Sequence, residues 1–239
     1  MKIVILSLLF IFNTNTPPEP PDAYFEDKYD DALQFYKRHD GRIDKIIEEL
    51  NGEKYLIYSI GFPELIRYNM WKDLFETKAN ELLYAKKGKS YAFFSIGRFQ
   101  MKPLFAEKVE KYIEDTDTLN HEYGHVIAYD VNGNIRAVRK ERIERLKSYK
   151  WQIRYLVLFT QIVTHRFDLS AMQDSTDRIE FFCSAYNHDF LTDSAQIARM
   201  KNKKFFPYGS KRDNPFSYSE VAVYFFENDY PSALKGFFW

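Results

Sequence analysis

The most informative segment of this sequence reads Ser95-Ile96-Gly97-Arg98-Phe99-Gln100-Met101-Lys102-Pro103. Glycine lets two stretches of backbone approach closely, because it has no side chain to keep them apart. Proline is tolerated in the first turn of a helix, where its missing N–H costs least. A glycine, an aromatic side chain, an amide and a helix-opening proline therefore predict a tight turn packed against another surface, followed by a helix over 103–113.

Helical periodicity dominates the chain on both sides of this turn. Apolar side chains recur three and four positions apart, as the buried face of a helix requires. This spacing predicts helices over 22–39, 43–50, 71–85, 103–113, 142–167 and 177–186. Capping-box spacing marks two further helix starts, at Asp193 and Ser217. The hairpin signal lies at 126–138, where Asn132-Gly133 stands between alternating residues. We predict a mainly α single domain over 22–239, with a small hairpin-containing insertion at about 114–140.

Composition excludes several classes of protein. The chain has 239 residues, and its 34 Lys and Arg are balanced by 34 Asp and Glu. A zero net charge argues against a nucleic-acid-binding protein that relies on a broad basic field. The single cysteine, Cys183, excludes an internal disulfide scaffold. Aromatic residues make up 18% of the chain, enough to fill a core and also to line a groove.

The N-terminus has the layout of a secretory signal peptide. Lys2 precedes an apolar run at 3–12, and a polar break and a proline cluster follow within 13–21. The apolar run is shorter than the roughly 20 residues that cross a bilayer. We therefore assign residues 1–21 to a signal peptide and proline-rich leader, and expect a secreted or periplasmic protein with no stable membrane span.

Two other segments contain side chains suited to chemistry. Glu64 has Phe62, Leu65 and Ile66 as neighbours, and an apolar cleft would raise the pKa of its carboxyl, as a general acid requires. Ala185-Tyr186-Asn187 ends the predicted helix over 177–186 and can present a hydroxyl to a nearby carboxylate. The amide of Gln100 suits the hydroxyl and acetamido groups of sugars.

In order and spacing, these three segments resemble the lytic transglycosylases and goose-type lysozymes of the lysozyme-like superfamily. Those proteins have a catalytic Glu ending one helix, a Gly-Leu-Met-Gln-type turn with Pro three residues after the Gln, and a late Ala-Tyr-Asn. The resemblance covers about 55–190. Two positions depart from the pattern: Leu65 replaces a frequent Ser, and Asp189 replaces a usual Gly.

The resemblance implies a lysozyme-like fold and a peptidoglycan glycan strand as the partner, cut between N-acetylmuramic acid and N-acetylglucosamine without a cofactor. Glu64 would be the general acid and base. The substrate-binding residues would be Ser95, Phe99, Gln100, Met101, Tyr186 and Asn187. The sequence alone pairs no second carboxylate with Glu64, which favours formation of a 1,6-anhydro product over attack by water.

A competing motif reads His121-Glu122-Tyr123-Gly124-His125, a complete HExxH. On a helix its two histidines share one face and can bind zinc, with Glu122 as general base. This alternative is a zinc metallopeptidase, with Glu141 or Glu144 as a possible third ligand. A further alternative is a non-catalytic glycan-binding protein with the same fold.

Overall fold

The computed structural model of the chain describes residues 19–71, 78–131, 133–172 and 174–230. Within these ranges the regular structure is helical, and β pairing is limited to two isolated bridges, Ile96 with Met101 and Phe206 with Phe216. The predicted mainly α class is therefore confirmed. None of the described helices has the length and apolar character needed to cross a membrane. Most of the predicted leader falls on residues 1–18, outside the described residues.

Eleven α-helices and one short 3-10 helix form in the described ranges. The first half of the chain contains α1 (Pro21–Phe25), α2 (Asp27–Glu49), α3 (Lys54–Trp71), α4 (Lys78–Lys87), the 3-10 helix (Gly88–Tyr91) and α5 (Pro103–Glu114). The second half contains α6 (Asp117–Ile127), α7 (Ile135–Lys147), α8 (Tyr149–Arg166), α9 (Ser175–Asn187), α10 (Ser194–Met200) and α11 (Tyr218–Asn228).

Helix α3 lies at the centre of the fold. It is apolar on all sides, as a fully surrounded helix should be, and residues 56–66 are all buried. It packs against α2, α8, α9 and α11. Glu64 belongs to this buried stretch, so its carboxyl is carried into the interior by a helix that is surrounded on all sides.

Gly61 allows the turn before α5 to reach α3. A Cβ at Gly61 would lie 2.6 Å from the Tyr36 hydroxyl and 2.7 Å from the Phe99 ring. The Tyr36 hydroxyl donates to the Tyr58 carbonyl over 2.8 Å, and the Tyr218 hydroxyl donates to the Ile60 carbonyl over 2.7 Å. The missing side chain therefore brings α2, α3 and the turn into direct contact.

The predicted hairpin at 126–138 is wrong, because the described residues on both sides of the Asn-Gly pair are helical. Helix α6 runs to Ile127, and α7 begins at Ile135. Asn134 caps α7, its side chain accepting from the backbone N–H groups of Arg136 and Ala137. Asn132 itself lies outside the described residues. The segment between Ile127 and Ile135 therefore connects two helices and not two strands.

Two helix boundaries also differ from the prediction. The long stripe over 142–167 is divided between α7 and α8 by Ser148, whose backbone is extended. The helices predicted over 22–39 and 43–50 are joined, since α2 passes through Gly41 without a break, but the start of the first is a separate helix, α1, which ends before Glu26 with its φ of 45°. Periodicity identified the buried faces, whereas local backbone geometry decided where each helix ends.

Candidate active site

Glu64 is 4% exposed, and its two carboxylate oxygens differ in their surroundings. Oε1 accepts a hydrogen bond from Arg67 Nη1 over 2.7 Å, one helical turn later on α3. Oε2 is buried and has no hydrogen-bond partner among the described residues. A buried polar atom is costly unless a water, a ligand atom or a proton satisfies it, and Glu64 is one of the residues that line the cleft described below.

Burial raises the pKa of the Glu64 carboxyl above its usual range, because the charged form loses its hydration. The guanidinium of Arg67 opposes this shift, and Lys102 and the Tyr218 hydroxyl act in the same direction as Arg67, but burial dominates. Arg67 itself lies over the ring of Phe206, 5.0 Å from its centroid. Glu64 is therefore a carboxyl group biased towards its protonated form.

The turn before α5 is closed by backbone hydrogen bonds, and the side chain of Gln152 bonds to it from the core. Ile96 and Met101 exchange both backbone hydrogen bonds, at 2.9 and 3.1 Å. Gln152, completely buried on α8, donates from Nε2 to the Ile96 carbonyl over 2.6 Å and accepts at Oε1 from the Phe99 N–H over 3.1 Å. A single side chain thus fixes both sides of the turn.

Gly97 and Gln100 give the turn its shape. Gly97 has a φ of 69°, and a Cβ there would lie 2.6 Å from the Leu146 carbonyl oxygen. Gln100 adopts a φ of 45°, which is unfavourable for a residue with a side chain. Its Nε2 donates to the Gly97 carbonyl over 2.8 Å, which fixes the amide at the mouth of the turn.

Phe99 differs from its predicted substrate-binding role. Its side chain is 0% exposed and packs between Gly61 and the rings of Phe35 and Tyr36, so it has no surface with which to contact a substrate. The missing side chain of Gly61 explains this placement, because it leaves the space on α3 that the Phe99 ring fills. Phe99 anchors the turn.

The third segment reaches the same place from α9. The Tyr186 hydroxyl donates to the Phe99 carbonyl over 3.3 Å, and its ring packs edge-on against Phe105. Burial, reinforced by the Glu64 carboxylate, raises the pKa of this hydroxyl well above its ordinary value. Asn187, the last residue of α9, is exposed beside it. Tyr186 is therefore a neutral hydrogen-bonding group next to Glu64.

These side chains line one open cleft with a volume of about 270 Å³. Six of the seven predicted site residues line it, namely Glu64, Ser95, Gln100, Met101, Tyr186 and Asn187. Phe99 lies beneath them. Segments separated by up to 123 positions in the sequence therefore meet at one carboxyl group.

Sequence reasoning missed several residues of this cleft. Phe93 is 63% exposed at its edge, and nothing in the sequence distinguishes it from the other aromatic residues. Arg67 and Lys102 also line the cleft. The spacing of three between Glu64 and Arg67 on one helix indicates that their side chains can pair, so this contact could have been predicted. Asp189 also lines the cleft, with Oδ2 accepting from Lys108 Nζ over 2.6 Å and Oδ1 accepting from the Leu191 N–H over 3.1 Å.

The HExxH segment forms part of α6, away from this cleft. His121, Glu122 and His125 are exposed, whereas Tyr123 is buried. No group of three or more His, Cys, Asp or Glu side chains that could hold a metal ion occurs in the described ranges. The two histidines share a helix face as predicted, but the described residues add no third ligand to them.

Comparison with known protein families, with curated proteins and with solved structures finds no match to this chain. A protonated carboxyl with one free oxygen can donate a proton to a ligand oxygen. The neighbouring amides and hydroxyls can hold a polar, uncharged molecule such as a sugar in a fixed orientation.

Proposed function

We propose that the protein is a lytic transglycosylase-like enzyme with a lysozyme-like fold, which cleaves peptidoglycan strands between N-acetylmuramic acid and N-acetylglucosamine. The observation that carries the proposal is the state of Glu64, a buried carboxyl at the cleft with one oxygen held by Arg67 and the other without a partner. The order of the three segments along the chain supplies the substrate class, through the resemblance stated above.

In the proposed reaction, Glu64 donates its proton from Oε2 to the glycosidic oxygen as the bond to C1 breaks. Positive charge then develops on the sugar in an oxocarbenium-like state. The Glu64 carboxylate formed in this step next accepts the proton of the muramoyl C6 hydroxyl, whose oxygen attacks C1. The product is a 1,6-anhydro end, and Glu64 regains its proton.

Arg67 has a defined part in this cycle. Its guanidinium donates to Oε1 throughout, so it orients the carboxyl and stabilises the negative charge that appears after proton transfer. Burial works in the opposite direction and raises the pKa of Glu64, which favours the acid form before the reaction. Because burial raises the pKa of Glu64 and Arg67 lowers it, the same carboxyl group can serve first as the acid and then as the base.

Asp189 does not take the role of a second catalytic carboxylate in this proposal. Both of its oxygens are engaged, one by Lys108 and the other by the backbone at Leu191. A carboxylate held in this way is a poor base for activating water. The anhydro route, which needs a single acid and base, is therefore favoured over hydrolysis.

The experiment is a digestion of purified sacculi by the wild-type protein, with mass spectrometry of the soluble products. An anhydro end and a reducing end differ by the mass of one water, so the spectrum identifies the route. We expect anhydro muropeptides. Reducing ends would replace the transglycosylase by a hydrolase, and intact sacculi that nevertheless bind the protein would favour the non-catalytic alternative.

A further inference from the structure

The segment that links α10 to α11 is strongly basic. Residues 199–214, called the basic loop below, contain six Lys and Arg side chains and one carboxylate, Asp213, although the whole chain is neutral. Lys201 is paired with Glu180 on α9. The other five cations are exposed and have no ion-pair partner among the described residues; they are Arg199, Lys203, Lys204, Lys211 and Arg212. The loop is therefore a local concentration of unpaired positive charge.

The basic loop is held in place from its buried side. The Phe206 N–H donates to the Phe216 carbonyl over 3.0 Å, and both rings pack against Phe25 on α1. At the tip of the loop, Asn214 Oδ1 accepts from the Tyr208 N–H over 2.8 Å. The cations therefore project from an ordered backbone, so a partner that binds them has little of the chain left to order.

The exposed side of the basic loop has the chemistry of a membrane-contacting surface. None of its five unpaired cations lines the cleft, so they are not part of the site at Glu64. Tyr208 is 36% exposed at the tip, and the Arg212 guanidinium lies over its ring, 5.5 Å from the centroid. At a bilayer surface, Lys and Arg are attracted to anionic lipids, and the amphipathic ring of Tyr lies at the level of the head groups.

We infer that the basic loop docks the protein onto the surface of a bilayer that contains anionic phospholipids. The exposed cations pair with the lipid phosphate groups, and Tyr208 lies among the head groups. The loop is also next to the cleft, because the Arg67 guanidinium, which lines the cleft, lies 5.0 Å from the centroid of the Phe206 ring. Docking therefore holds Glu64 close to the membrane surface. Binding of this kind does not depend on the proposed function.

The test measures co-sedimentation of the protein at low salt with vesicles of phosphatidylglycerol and phosphatidylcholine in equal parts, and with vesicles of phosphatidylcholine alone. We expect the wild type to bind the anionic vesicles and not the neutral ones. Each Lys or Arg near an anionic surface strengthens binding about fivefold, so removing four should weaken it at least about 100-fold. The test variant combines Lys203→Gln, Lys204→Gln, Lys211→Gln and Arg212→Gln.

The matched control removes the same number of exposed cations from α2 and α8. It combines Lys37→Gln, Arg42→Gln, Lys45→Gln and Lys150→Gln. Because both variants have the same net charge, an effect of overall charge would appear in both. We expect the control to bind anionic vesicles like the wild type, with folding of each variant verified by circular dichroism.

Inorganic polyphosphate distinguishes a bilayer site from a site for soluble polyanions. Tyr208→Ser should weaken vesicle binding roughly threefold, because the ring no longer leaves water on docking, and should leave polyphosphate binding unchanged. Polyphosphate binding without vesicle binding would assign the loop to a soluble polyanion and overturn the inference. Equal binding to both kinds of vesicle, or equal losses in the test and control variants, would also overturn it. Vesicle binding without cleavage of sacculi would support the docking surface while overturning the proposed function.

Discussion

The Tyr186 hydroxyl donates a hydrogen bond to the backbone carbonyl of Phe99, 87 positions earlier in the chain. This bond ties the end of α9 to the turn before α5, and Phe99 in turn packs against Gly61 on α3. The three segments around Glu64 are therefore connected through buried contacts beneath the cleft. Buried packing therefore sets the positions of these three segments relative to one another.

Gln152 should support the cleft without touching a substrate. Gln152→Ala leaves the Phe99 N–H without a partner and removes one of the two hydrogen bonds to the Ile96 carbonyl, so we expect it to lower the free energy of unfolding by about 2 kcal/mol. Gln161→Ala is a control on the same helix; its amide bonds the carbonyls of Leu50 and Asn51 near the surface and should cost less than about 1 kcal/mol. Urea denaturation measures both, and equal losses would contradict the role given to Gln152.

The pH dependence of activity should follow Glu64. Its acid form is the active one at the first step, and its pKa is raised by burial. Activity is therefore retained below this raised pKa and falls as the pH rises through it. Arg67→Met removes a charge that lowers the pKa, so the alkaline limb of the pH–rate profile should move to higher pH.

Arg98→Met provides the control for this profile. Arg98 is exposed, lies 4.5 Å from the centroid of the Tyr68 ring, and does not line the cleft. Its substitution should leave the alkaline limb in place. A downward movement in Arg67→Met, or the same movement in both variants, would contradict the assignment of the limb to Glu64.

Phe93 should act as an exposed platform for a sugar ring. Phe93→Ala removes a side chain that is 63% exposed at the cleft, so stability should change by no more than about 0.5 kcal/mol. We expect the KM for glycan strands to rise roughly threefold to tenfold, the equivalent of about 1 kcal/mol of aromatic contact. Leu82→Ala, at a side chain 50% exposed on α4, should leave KM unchanged. An unchanged KM in Phe93→Ala would remove Phe93 from the binding surface.

The sequence predicted the helical class well, because apolar spacing of three and four reports directly on buried helix faces. The predicted hairpin failed because an Asn-Gly pair indicates a turn without saying what it connects. Here Asn134 caps α7, so the chain leaves the turn as a helix.

The candidate site was predictable in its members but not in their roles. Glu64 was expected to end a helix, yet α3 continues to Trp71, because no glycine or proline follows Glu64 within this stretch. Phe99 was expected to bind the substrate, and the missing side chain of Gly61 explains why its ring is fully buried instead. The role of Gln152 could not be predicted from the sequence, because its hydrogen-bond partners at Ile96 and Phe99 are known only from the folded structure.

The most direct test compares the release of soluble muropeptides from sacculi by the wild type, Glu64→Gln and Glu122→Gln. Glu122 is exposed in the HExxH segment on α6, so its variant is both a matched control and a test of the metallopeptidase alternative. We expect Glu64→Gln to lower the rate at least about 100-fold, with folding verified by circular dichroism, and Glu122→Gln to match the wild type. Equal release by the wild type and Glu64→Gln would contradict the central claim that this buried carboxyl cleaves the glycan strand.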